Sequence, residues 1–134
     1  LIVSTHPFAA IADANYVSLR TFRKTGVAVD TPVWFAVSGD SLVVTTNRDL
    51  GKVKRIRHTS DVELSECTMR GVVADDAPMV LTTASIEDSD EARAELHAAL
   101  LAKYGFMYRM MTFSWPFSKP KEPTSVLIRL KPRS

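Results

Sequence analysis

The chain has 134 residues, enough for one domain to bury a core, and 46% of them are hydrophobic. Its 17 Lys and Arg against 15 Asp and Glu leave a net charge of +2, too small an excess for a dedicated nucleic-acid binder. No apolar run approaches the roughly 20 residues of a membrane span, so no membrane partner is expected.

Leu1-Ile2-Val3 is too short for a signal-peptide core and lacks a basic flank, and the missing initiator Met suggests a start inside a longer natural chain. His6 to Ala14 is expected to form a short helix, with Ala9, Ala10 and Ala12 as good helix formers. Tyr16 to Phe22 reads as a strand in which Val17, Leu19 and Thr21 alternate with Tyr16, Ser18, Arg20 and Phe22. Lys24-Thr25-Gly26 is a turn. Thr31 to Val37 is predicted as a second strand, with Pro32 suiting a strand start or an edge. Ser38-Gly39-Asp40 then makes a hairpin into a third strand, Ser41 to Thr46.

The basic stretch Lys52-Val53-Lys54-Arg55-Ile56-Arg57 follows, within a predicted short helix from Gly51 to His58. Lys52 falls in its first turn, where the helix dipole favours negative charge and opposes a cation. A phosphate at that end removes the conflict, because free backbone N–H groups, the dipole and the ammonium would converge on one anion. Thr45 and Thr46 could add hydroxyl donors from the strand end. The alternative from spacing alone is a solvated basic face.

Asp61 to Cys67 is the next predicted strand, and Cys67 reads as a buried, inert thiol. Alone it excludes a disulfide framework, and His6, His58 and His97 show no ligand spacing, so no metal site is expected and a cytoplasmic home fits. Val72-Val73-Ala74 and Val80 to Ile86 read as two strands, or one interrupted around Asp75 to Pro78. Asp88-Ser89-Asp90-Glu91 opens a helix, Asp88 and Glu91 standing close to a capping box. Ala92, Leu96, Leu100 and Lys103 fall at helical spacing, and Gly105 ends the run. Phe106 to Phe117 is rich in Met and aromatics, and Thr124 to Leu130 closes as a strand.

This pattern predicts a mainly β (α+β) protein: one domain over residues 1–134, a small antiparallel barrel or sheet with helices packed outside. No nucleophile elbow, Walker loop, H-E-x-x-H or G-x-G-x-x-G occurs, and no acid–base pair stands out, so catalytic residues stay unassigned. The positive signal is a phosphate site beside a sheet, which suits a cofactor that carries the chemistry itself.

Thr31-Pro32-Val33-Trp34-Phe35 resembles the strand that lines the flavin edge in the pyridoxamine 5′-phosphate oxidase-like split barrels, an FMN-binding fold. Thr45 to Lys52 resembles the phosphate-gripping strand, turn and helix of that superfamily. The order Thr21-Phe22-Arg23, Gly51-Lys52-Val53-Lys54-Arg55, Cys67-Thr68-Met69-Arg70-Gly71 and Lys103-Tyr104-Gly105 is closer to its actinobacterial branch, which uses the deazaflavin coenzyme F420. The likeness runs from about Tyr16 to Tyr108.

It implies a split β-barrel with peripheral helices and hydride transfer between reduced F420 and an unsaturated organic substrate. Thr31, Pro32 and Val33 would meet the ring, largely through backbone groups. Thr45 and Thr46 would donate to the phosphate with the backbone at Leu50 and Gly51, while Lys52 and Arg55 would supply the cations. A homodimer with shared sites is also implied, Trp115 and Phe117 being candidates for the shared wall. Leu50-Gly51-Lys52 departs from the Ser-Arg-Lys of many oxidases, and Val126 to Ser134 lacks their substrate-binding segment. Both departures weigh against vitamin B6 oxidation. An FMN oxidoreductase of the same fold, or a flavin or F420 carrier without turnover, stays open.

Overall fold

Residues 6–105 and 124–133 are described by a computed structural model. The alternating residues of the first strand bury Val17, Leu19 and Thr21, as period-two spacing requires. That strand is β1 (Val17–Phe22), followed by β2 (Ala28–Val33), β3 (Phe35–Ser38) and β4 (Ser41–Asn47). Helix α1 (Gly51–His58), β5 (Asp61–Glu66), β6 (Met79–Glu87), α2 (Asp90–Tyr104) and β7 (Ser125–Pro132) complete the described elements. The seven strands make one antiparallel sheet in the order β2-β1-β5-β6-β7-β4-β3.

The expected strand from Thr31 to Val37 is two strands, and the break decides the architecture. Trp34 alone joins β2 to β3, although these strands are the opposite edges of the sheet. Adjacent Cα atoms lie about 3.8 Å apart, so the sheet must curl until its edges meet at Trp34. The curl brings inward residues of every strand into one core: Leu19, Val33, Phe35, Val44, Leu64, Ala84 and Ile128 share a cluster. Pro32 sits late in β2, not at its start, and its place on an edge strand avoids the missing N–H.

Aromatic packing clasps the meeting point. Trp34 stacks on Tyr104, with ring centroids 4.5 Å apart, and the Tyr104 hydroxyl accepts from Phe35 N at 3.2 Å and lies 2.8 Å from Asn15 O. Lys103 donates to Ala14 O at 2.7 Å with its ammonium 3.1 Å above the Phe35 ring. Burial lowers its pKa to about 8. The segment held there is not the expected His6–Ala14 helix. It is a run of turns bonded three residues apart (Ala9 N to His6 O, Ile11 N to Phe8 O, Ala14 N to Ile11 O). Phe8 and Ile11 are fully buried, so core insertion overrides the helix propensity of the alanines.

Helix α2 packs Ala92, Leu96 and Leu100 on the outer face of the sheet, against Ala36, Val43 and Leu127. Its N-cap is Ser89, whose Oγ accepts from Ala92 N at 3.1 Å, one residue later than expected. Asp88 instead receives a fork from Arg48 and a bond from Arg93. Gly105 ends the helix at φ +53°, its N–H donating to Leu101 O. Val72-Val73-Ala74 forms no strand, and Cys67 lies one residue past β5, half-buried, its thiol pKa raised by burial and by Glu66. Phe106 to Phe117, with Trp115 and Phe117, falls outside the described residues. No helix among the described residues is long and apolar enough to cross a membrane.

Candidate anion and cofactor site

Helix α1 packs on β1 and β6 at the end of the barrel where β4 finishes, and it drives Ile56 into the core cluster. Its first turn has no acidic residue and its N-cap, Leu50, offers no side-chain acceptor. The first N–H groups of a helix have no intrahelical partner, so this end keeps a positive field. The chain nonetheless gathers cations here. Lys52 is half-buried, and its pKa is lowered by burial and by Arg55. Arg55 is itself held below the ordinary arginine value by burial and by Arg23.

Among the described residues, Arg23, Lys52 and Arg55 form no ion pair. Elsewhere on the sheet the arginines are matched: Arg20 forks onto Asp30 at 2.8 and 3.0 Å, and Arg129 bonds Glu87 and Glu95. Like charges drawn together without carboxylates cost free energy unless an anion joins them.

The Arg55 guanidinium is fixed at one point. Its Nε donates to Thr21 Oγ1 at 2.7 Å, and Thr21 is fully buried. From there the fork turns back over the first residue of α1, where a Cβ on Gly51 would lie 2.8 Å from Arg55 Nη1. Beside Arg23 a cleft of about 300 Å³ opens, lined also by Lys24, Thr59, Arg133 and the carboxylates of Asp61 and Glu63.

Thr46 is 7% exposed and faces inward with Leu42 and Val44, and its Oγ1 is buried without a hydrogen-bond partner among the described residues. A buried hydroxyl left unpaired is costly, which fits a donor waiting for a ligand. Strand alternation turns Thr45 to the opposite, exposed face, so the two hydroxyls do not converge from the strand. Leu50 is 47% exposed and its N–H is taken by Asn47 O, while Gly51 opens the helix. Lys54 and Arg57 are exposed on the outer side of α1.

Thr31, Pro32 and Val33 lie on edge strand β2, opposite Leu19, Ser18 and Val17 of β1. Val33 points into the core and Pro32 rests near Gly71, whose Cβ would come within 3.5 Å of the ring. Their unpaired edge leaves backbone groups as the means of contact. Val29 pairs with Thr21, so β1 and β2 run from the Arg55 anchor to this edge segment. Among the described residues no group of His, Cys, Asp and Glu could hold a metal ion.

No known family pattern and no curated protein matches the chain. Solved structures do. A conserved hypothetical protein from Mycobacterium tuberculosis superposes with a TM-score of 0.71 at 19% identity, over 100% of this chain and 83% of that one. A candidate pyridoxamine 5′-phosphate oxidase from Listeria innocua gives 0.64 at 15% identity, over 95% and 90%. The haem storage protein HutZ from Vibrio cholerae gives 0.65 at 13% identity, over 90% and 82%. The fold is the split barrel.

Identities this low fix the architecture and no more, and the neighbours' names span an oxidase and a haem store. Within this split barrel, sequence reasoning missed Arg23 and the anchoring role of Thr21. The Arg55–Thr21 bond spans 34 positions, so no local spacing could reveal it. Two signals were available: Thr21-Phe22-Arg23 stood in the resemblance without an assigned role, and its two-residue spacing puts Thr21 and Arg23 on one side of an extended chain.

Proposed function

We propose that this split barrel is an oxidoreductase that holds coenzyme F420 by its phosphate at the N-terminus of α1, and works on an unsaturated organic substrate. One observation carries the reading: Lys52 and the Arg55 guanidinium gather at the N-terminus of α1, Arg23 lies near enough to Arg55 to repel it, and none of the three has an ion-pair partner among the described residues. When bound, the deazaflavin supplies the hydride chemistry at its ring. The chain's own residues bind and orient it. Lys52 and the Arg55 fork neutralise the phosphate, the first-turn N–H groups of Gly51 and Lys52 add donors, and Thr46 offers its unpartnered hydroxyl. The backbone edge of Thr31 to Val33 lines the ring, and the buried wall behind Val33 limits water there.

Arg23 extends the cluster beyond what one phosphate needs, which favours a ligand with a further acidic tail over FMN. An FMN oxidoreductase, or a flavin or F420 carrier without turnover, uses the same grip. Haem is a distinct competitor, since its propionates are anions too and a structural neighbour stores it. On this reading the protein works in the cytoplasm as a homodimer.

Absorption titrations with F420, FMN and haem test the reading. The expected result is tightest binding of F420, weakening as salt rises through screening of the exposed charges. Equal or tighter FMN binding moves the FMN enzyme to first place, and haem binding above both makes the protein a haem carrier. Binding of none removes the proposal.

A further inference from the structure

We infer that Thr21 and Gly51 are the positioning residues of the anion grip: Thr21 anchors Arg55 and Gly51 leaves the space its guanidinium occupies. This deepens the proposed function and rests on that reading.

Arginine side chains carry several rotatable bonds, and a guanidinium crowded by like charge would swing to solvent if nothing held it. Here the Thr21 hydroxyl takes the Nε hydrogen at 2.7 Å from a fully buried site on β1. That single bond leaves Nη1 and Nη2 facing the start of α1. The same hydroxyl lies 3.5 Å from Val29 O, which orients its own proton away and its lone pair toward Arg55. On the other side, Gly51 presents no Cβ. A methyl group there would sit 2.8 Å from Nη1, and the flexible guanidinium, not the helix backbone, would give way.

Glycine at 51 therefore has no backbone cause. Its φ is not positive, so the backbone at this first helical position accepts alanine as readily. The space is kept for a side chain that arrives from the next turn of the helix. Thr46, four residues before the Leu50 N-cap, adds a buried hydroxyl that has no hydrogen-bond partner among the described residues.

The test measures dissociation constants of the deazaflavin ending in its phosphate, without the acidic tail, and of the phosphate-free deazaflavin, for the wild type and for Thr21→Val, Thr21→Ser and Gly51→Ala. The ratio of the two constants isolates the phosphate. Thr21→Val and Gly51→Ala are expected to cut that ratio about tenfold, the loss of one well-placed charged hydrogen bond, with binding of the phosphate-free form unchanged. Thr21→Ser should restore it. Thermal melts should show Gly51→Ala at least as stable as wild type, so its loss of phosphate affinity cannot be a folding defect. In an Arg55→Ala background, Thr21→Val should have no further effect on the ratio.

A wild type with no phosphate preference overturns the underlying reading and this inference with it. A wild type that prefers the phosphate, with variants that keep the full ratio, overturns this inference alone. If Thr21→Val does not fold, Gly51→Ala decides.

Discussion

Lys52 stands in the first turn of α1, half-buried beside Arg55, where the helix dipole and a second cation both oppose its charge. Lys52→Ala should weaken F420 binding by about 1.5–3 kcal/mol, the range for a hydrogen bond to a charged group, and leave folding intact. An unchanged dissociation constant would remove Lys52 from the site. Its lowered pKa also sets a pH dependence. A bound anion favours the protonated amine, so affinity should fall as pH rises through the depressed lysine range; a flat profile from pH 7 to 10 contradicts this. Lys103 offers a second residue-scale check, since burial holds its pKa at about 8 against 10.5 ordinarily. Its side-chain NMR signals should titrate near 8. Because the unfolded chain binds this proton more tightly, the contribution of Lys103 to stability rises with pH between those two values. A midpoint near 10.5 would show an amine in water instead.

At the scale of elements, the N-terminus of α2 separates two roles that adjacent residues share. Ser89 caps the helix, whereas Asp88 ties it to the β4–α1 turn through Arg48. Ser89→Ala should cost about 1 kcal/mol in chemical denaturation, the usual value of a lost N-cap. Asp88→Asn should keep the cap and loosen the turn. Arg48 and Arg93 hold the Asp88 carboxyl well below the ordinary carboxylate range. Its stabilisation is therefore present above that range and fades on acidification, and the gap between wild type and Asp88→Asn should narrow from pH 7 to pH 3. A constant gap would mean that the ion pair does not matter. The capping error has a simple cause: Asp88 and Ser89 are both good cap residues, and only the chain path into the helix selects between them.

For the whole molecule, the open edges and the outer face of the sheet raise the question of assembly. Met69, Val72, Met79 and Leu81 are exposed apolar side chains around the β5–β6 connection and β6. Edge strands β2 and β3 also keep unpaired backbone groups. We expect a homodimer, the commonest closed symmetry, with a mass by light scattering near twice 14.8 kDa at micromolar concentration. A mass of 14.8 kDa would mean that each cofactor site is built from one chain.

Sequence by itself determined the strands that alternate cleanly, the Ser38–Ser41 hairpin, the bounds of α1 and the cation conflict in its first turn, because each rests on neighbours a few residues apart. Tertiary structure alone decided three things. It broke the Thr31–Val37 run at Trp34, because the curl of the sheet sends two consecutive strands to opposite edges. It replaced the alanine-rich helix with turns, because Phe8 and Ile11 fill the barrel core. It also brought Thr21, from a strand four elements earlier in the chain, and Arg23, just past that strand's end, to Arg55. Periodicity reports which face a residue occupies, and it carries no information about which distant residue that face will meet.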